Sequence, residues 1–213
     1  RDSYDYDDER EELVSAGIVL KKDTAPSVDL EPEYIAVSGG KAYVTLQENN
    51  AIAVLDLASK TFTGIYSAGF EDYSTTPVDI DKKDGAYNPK TYESLMGIRM
   101  PDGIAAYQVN GKTYLLTANE GDSREWGDYL NEDEVNFGKD KTSPTGAITA
   151  GNSGLTGKVV FFKTADYDGL NENKDYLFGG RSFTLYEVTD TGIQEVYTLS
   201  LIHISEPTRH LRI

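Results

Sequence analysis

Cysteine is absent from the 213 residues, and the two histidines, His203 and His210, both stand close to the C-terminal end. Without thiols there is no disulfide, no thiolate metal ligand and no cysteine nucleophile. Residues 1–198 lack imidazole as well, which excludes a Ser-His-Asp triad, a histidine metal site and a histidine general base from them. Long apolar runs are also missing: no stretch approaches the ~18 residues that a membrane-spanning helix needs. Positive charge is scarce, with 20 Lys and Arg against 36 Asp and Glu and a formal net charge of −16. Such a surface repels phosphate backbones and anionic headgroups, so neither nucleic-acid binding nor direct membrane insertion is expected. A divalent cation is the natural partner, although the same carboxylates also serve simply to keep a surface solvated.

What the sequence does have is tyrosine and glycine, 15 and 20 residues respectively, among short runs of Val, Ile and Thr. Aromatic and β-branched side chains suit a pleated surface, and the glycines suit tight turns, so the expected class is all-β. Local exceptions are an acidic helix over residues 4–15 and a helical turn over residues 92–96. A strand is expected at residues 17–20, and long polar loops at residues 70–100 and 121–156.

An internal repeat sets the architecture. Pro32-Glu33-Tyr34-Ile35-Ala36-Val37 overlays Pro101-Asp102-Gly103-Ile104-Ala105-Ala106, and Gly40-Lys41-Ala42-Tyr43-Val44 overlays Gly111-Lys112-Thr113-Tyr114-Leu115. The first copy continues into strands at residues 51–57 and 61–66, and residues 34–36, 42–46 and 51–57 are expected to be adjacent antiparallel strands. The second copy resumes, after an insertion, at residues 181–188 and 193–198. Four short antiparallel strands make one propeller blade, so the chain reads as a partial β-propeller: about two blades of a larger ring of about seven, with long loop insertions. The alternative is a β-sandwich with similar hairpins.

Leu199 to Arg209 reads LSLIHISEPTR, which matches a translated frame of a sequencing-library adapter. Residues 199–213 are therefore expected to be foreign to the protein and to add no strand, leaving residues 1–198 as part of one domain without its native ends.

Leu30-Glu31-Pro32-Glu33-Tyr34-Ile35-Ala36-Val37, Met100-Pro101-Asp102-Gly103-Ile104-Ala105, Thr117-Ala118-Asn119-Glu120-Gly121-Asp122-Ser123-Arg124-Glu125 and Gly179-Gly180-Arg181-Ser182-Phe183-Thr184-Leu185 occur in this order. Together they resemble choice-of-anchor I domains and the related mesenchyme-specific cell-surface glycoproteins. The resemblance implies an extracellular or envelope-surface propeller, in a family whose members often carry alkaline phosphatase labels or adjoin phytase-like domains.

Several clusters are candidates for binding. Asp79, Asp81 and Asp84 alternate before Gly85, and Asp166 and Asp168 precede Gly169, both arrangements that a hard cation such as Ca2+ favours; the plainer reading of each is a polar turn. The densest cluster is Asn119 to Glu125, directly after a predicted strand. Glu120 and Asp122 are its candidate metal ligands, and Arg124 either meets an anion bidentately or pairs with the carboxylates of the same cluster, Glu120, Asp122 and Glu125, to pin the loop. Gln47, Glu48 and Asn49 hold the matching place in the first repeat, and Arg181 joins them if Gly179-Gly180 brings the backbone close. Glu48, Asn49, Glu120, Asp122 and Arg124 are thus expected on one rim. Two functions compete: a surface scaffold that binds Ca2+ and presents loops to an extracellular polymer or protein, and a metal-dependent phosphoester hydrolase.

Overall fold

The computed structural model describes residues 6–81 and 83–200. After a short 3-10 turn, the acidic start forms helix α1 (Arg10–Ser15), which buries Leu13. The expected strand at residues 17–20 is shorter and later, β1 (Leu20–Lys21), because the buried Ile18 and Val19 donate their N–H groups to the Leu13 and Asn49 carbonyls. A single turn, α2 (Pro26–Asp29), starts with proline, whose fixed φ suits the first helical position.

The first repeat then forms β2 (Ile35–Ser38), β3 (Lys41–Leu46), β4 (Ala51–Asp56) and β5 (Thr61–Ser67), one antiparallel sheet in sequential order. Strand β3 is buried on both faces, which explains its unbroken apolar run. Next come β6 (Phe70–Asp72), β7 (Leu95–Ile98), β8 (Pro101–Val109) and β9 (Lys112–Asn119). Of the helical turn expected at residues 92–96, one turn forms, closed by the Leu95 N–H on the Tyr92 carbonyl, and β7 then takes over, with Leu95 and Ile98 fully buried. Its run is too short for a helix to cover both neighbours, whereas a strand presents both faces.

The insertion is not a bare loop. It carries β10 (Glu125–Trp126), β11 (Tyr129–Leu130), β12 (Glu134–Asn136), helical turns α3 (Phe137–Asp140) and α4 (Ala150–Ser153), β13 (Val160–Phe162), β14 (Tyr167–Asp168) and β15 (Asp175–Phe178). Strand β15 pairs in parallel with β7, and β1 pairs with β14, so the insertion is stitched to the rest by backbone bonds. Its core gathers Tyr73, Leu95, Phe137, Phe161 and Leu177, each such side chain contributing about 1.5–3 kcal/mol on burial.

The second repeat closes with β16 (Ser182–Thr189) and β17 (Gly192–Ser200), giving a sheet in the order β17-β16-β9-β8. Both repeats are therefore four-stranded antiparallel meanders, and among the described residues none of the sheets closes on itself. Residues 199–213 are expected to add no strand; Leu199 and Ser200 prolong β17 opposite Phe183 and Ser182 and start no new one. An open strand edge offers unpaired backbone groups to whatever follows it. The rest of that tail lies outside the described residues. The two meanders stack through Tyr43, Ile52 and Val54 on one side and Leu115 and Tyr186 on the other.

Candidate functional site

The β3–β4 turn and the chain leaving β9 approach the same buried aspartate. Arg124, with no exposed surface, donates from Nε to Asp29 Oδ1 at 2.9 Å and from Nη2 to Oδ2 at 3.2 Å. Asp29 Oδ2 also accepts from Asn49 Nδ2 at 3.0 Å and from the Lys21 N–H at 2.9 Å. The guanidinium lies 4.6 Å from the centre of the Tyr167 ring, and its Nη1 is 4.0 Å from Asp133 Oδ2. Burial opposes the charge on Arg124, but Asp29, Tyr167 and Asp133 outweigh it and raise its pKa. This is bidentate carboxylate recognition, satisfied inside the chain.

Four buried polar atoms around this knot find no hydrogen-bond partner among the described residues: Arg124 Nη1, Asp133 Oδ1, Glu31 Oε1 and Glu48 Oε2. Burial raises Asp133 and Glu31 above the ordinary carboxylate range. Glu48, buried on the β3–β4 turn, is pushed up to about 7, chiefly by desolvation and further by Glu31 and Glu33. Gln47 is buried beside it, while Asn50 spans the junction, donating to the Gly69 carbonyl at 2.8 Å and accepting from the Met100 N–H at 2.9 Å.

Glu120 and Asp122 go elsewhere, so the expected single rim is divided in two. They line an open cleft of about 300 Å³ together with Ser123, Glu134, Lys158 and Arg181. The division is a backbone effect. Gly121, at φ +86°, turns the chain where a Cβ would overlap Gly179, and Gly179, at φ +75°, faces Glu120 equally closely. Only glycine at both positions permits this approach without strain. Arg181 Nη1 donates to the Asp79 carbonyl at 3.1 Å, and its N–H donates to the Asn119 carbonyl at 3.1 Å. Asn119 itself is buried and holds β9 to β16, donating to Ser182 and Thr184 hydroxyls at 2.8 Å each.

The carboxylates of the two Asp-rich loops are taken up by partners within the chain, and Asp166 and Asp168 flank the Tyr167 that packs on Arg124. Asp81 accepts from the Thr156 N–H and hydroxyl and from the Lys83 N–H; burial pushes its pKa up, and these bonds outweigh it to leave it lowered. Asp79 accepts from the Asn88 N–H at 2.9 Å and Asp84 from the Ala86 N–H at 3.0 Å. Asp166 pairs with Lys163 at 2.6 Å, and Asp168 with Arg10 at 2.8 Å. Among the described residues, no three acidic side chains are grouped to hold a metal ion.

Sequence reasoning overlooked Asp29, Asp133 and Tyr167, and also Arg99. Arg99 is buried between Glu71, at 2.9 Å, and Glu195, at 2.7 Å, and donates to the Ala68 carbonyl. A single charge inside Gly97-Ile98-Arg99-Met100-Pro101 was the available signal, since an isolated cation in an apolar run needs an internal partner.

The model of the choice-of-anchor I domain matches residues 2–198. The chain belongs to the choice-of-anchor I family. As a choice-of-anchor domain it is a cell-surface-associated unit, and no helix among its described residues is long and apolar enough to cross a membrane. No curated protein and no solved structure matches the choice-of-anchor I chain. The glycine pair, the buried arginine and the repeat strands, apart from the last two residues of β17, lie within the matched span.

Proposed function

We propose that this choice-of-anchor I chain is an extracellular scaffold: a stretch of β-propeller whose two four-stranded blades carry loops for contact with an extracellular polymer or protein. The single observation that carries this reading is the commitment of Arg124 to Asp29. An arginine that is fully desolvated and bidentately paired inside the chain is a poor receptor for an incoming anion. The acidic loops support the same reading, because their carboxylates bind backbone N–H groups and cations of their own chain. What remains open to solvent is the cleft of Glu120, Asp122 and Arg181, the place where calcium or a partner would be met.

A metal-dependent phosphoester hydrolase is the second reading. It draws on that same cleft, where Glu120, Asp122 and Glu134 stand with the cations Lys158 and Arg181. Assays of the intact protein with aryl phosphate mono- and diesters, with and without a chelator, separate the two. The scaffold reading predicts no turnover above the buffer rate in either condition. Chelator-sensitive hydrolysis that disappears in Asp122→Asn would replace it with the hydrolase.

A further inference from the structure

The two meanders use their faces in the same order. In the first sheet, Tyr43, Ile52 and Val54 face the second sheet, whereas Val44 and Leu46 face Leu13, Ile18 and Leu20 of the N-terminal segment. The repeat aligns Tyr43 with Tyr114 and Val44 with Leu115. Leu115 indeed faces backwards, against the first sheet. Tyr114 therefore lies on the forward face of the second sheet, where register places Ala105, Leu116, Leu185 and Tyr197 in one row across all four strands.

That forward face is apolar and open. Leu116 is 43% exposed and Tyr197 58%, Tyr107 stacks on Tyr114 at 5.5 Å, and Phe183 lies nearby. A charged pair, Lys112 with Glu187 at 2.8 Å, borders one end, so an apolar centre has a polar edge, as interfaces do. We infer that this face is the docking surface for a third four-stranded unit of the same repeat. That unit presents the aliphatic face that Ile104, Leu115 and Val188 present to the first sheet. The inference rests on the propeller reading and adds to it the surface and the occupant. A second copy of the chain is a worse fit: its own backward-facing aliphatic surfaces are covered, one by the N-terminal segment and one by the first sheet.

The absence of cysteine allows a direct test with single thiols. Leu116→Cys and Tyr197→Cys probe the face, Leu57→Cys is the exposed control, and Ala106→Cys probes the interface between the two sheets. Maleimide labelling is followed in the 213-residue chain and in the protein made from its complete gene, with circular dichroism melts confirming that each variant folds. Face thiols are expected to react as fast as Leu57→Cys in the chain alone and about tenfold or more slower in the complete protein. Equal, fast labelling in both overturns the inference. Protection in the chain alone that grows with concentration also overturns it, by making a second copy the occupant. Fast labelling of Ala106→Cys would instead show that the stacked sheets beneath it are wrong, a failure of the propeller reading itself.

Discussion

Arg124 and Arg99 are both buried, yet their partners differ. Arg124 meets Asp29 and Asp133, neither of which has any exposed side-chain surface, while Arg99 meets Glu71 and a Glu195 that keeps 45% of its side chain in solvent. For Arg99, burial opposes the charge, and the Glu195 hydrogen bond and Glu71 outweigh it and raise its pKa. The chain is most tightly determined around Arg124. Around Arg124, removal of the cation strands carboxylates that water cannot reach; around Arg99, one of the two can turn outwards. Each arginine nevertheless joins segments far apart in sequence, Arg124 the N-terminal segment to the insertion and Arg99 the β6 strand to β17.

The largest expected effect follows from that contrast. Arg124→Met should lower unfolding free energy by about 3–5 kcal/mol in urea titrations, since it leaves Asp29 and Asp133 as uncompensated buried charges. Arg99→Met should cost less, about 2–3 kcal/mol, because Glu195 regains water. Equal losses in the two variants would remove the distinction drawn between them.

Glu48 sharpens the comparison through pH. Its folded pKa, about 7, stands above its ordinary value of 4.5, so the folded state holds the proton more tightly. Its stability contribution is intact below pH 4.5 and declines as pH rises through 7. Glu48→Gln should therefore match the parent near pH 4 and exceed it by about 1–3 kcal/mol at pH 8, read from thermal melts at both pH values. A variant that loses more stability at pH 8 than at pH 4 would instead place the Glu48 carboxylate in a favourable charged contact. The smallest effect belongs to the cleft: Glu120→Gln with Asp122→Asn should change stability by no more than about 0.5 kcal/mol, because both side chains are exposed and the one bond that Asp122 accepts, from the Ser123 N–H, is one an amide oxygen also accepts.

The repeat made the two meanders legible in the sequence, down to the pairing of residues 34–36, 42–46 and 51–57, because tight turns and two-residue periodicity act locally. The parallel union of β7 with β15 was not legible, since it joins Leu95 to Asp175 and no local pattern encodes so distant a partner. The site divides the same way. Asn119 to Glu125 stands out by its density of polar groups, and an internally paired Arg124 is one of its two readings, but the partners are Asp29 and Asp133 and not the carboxylates of its own cluster. Asp29 gave no signal of its own, because a lone aspartate in a single helical turn is ordinary until the arginine 95 residues away is folded against it.

The account stands on the Arg124–Asp29 pair as a structural pin, and a double-mutant cycle measures it most directly. Urea unfolding of the parent, Arg124→Met, Asp29→Leu and the double variant gives the coupling energy between the two side chains. Each single variant is expected to lose about 3–5 kcal/mol and the double clearly less than the two together, with a coupling of about 2 kcal/mol or more. Additive losses, or single variants as stable as the parent, would contradict it and return Arg124 to the candidates for binding an external anion.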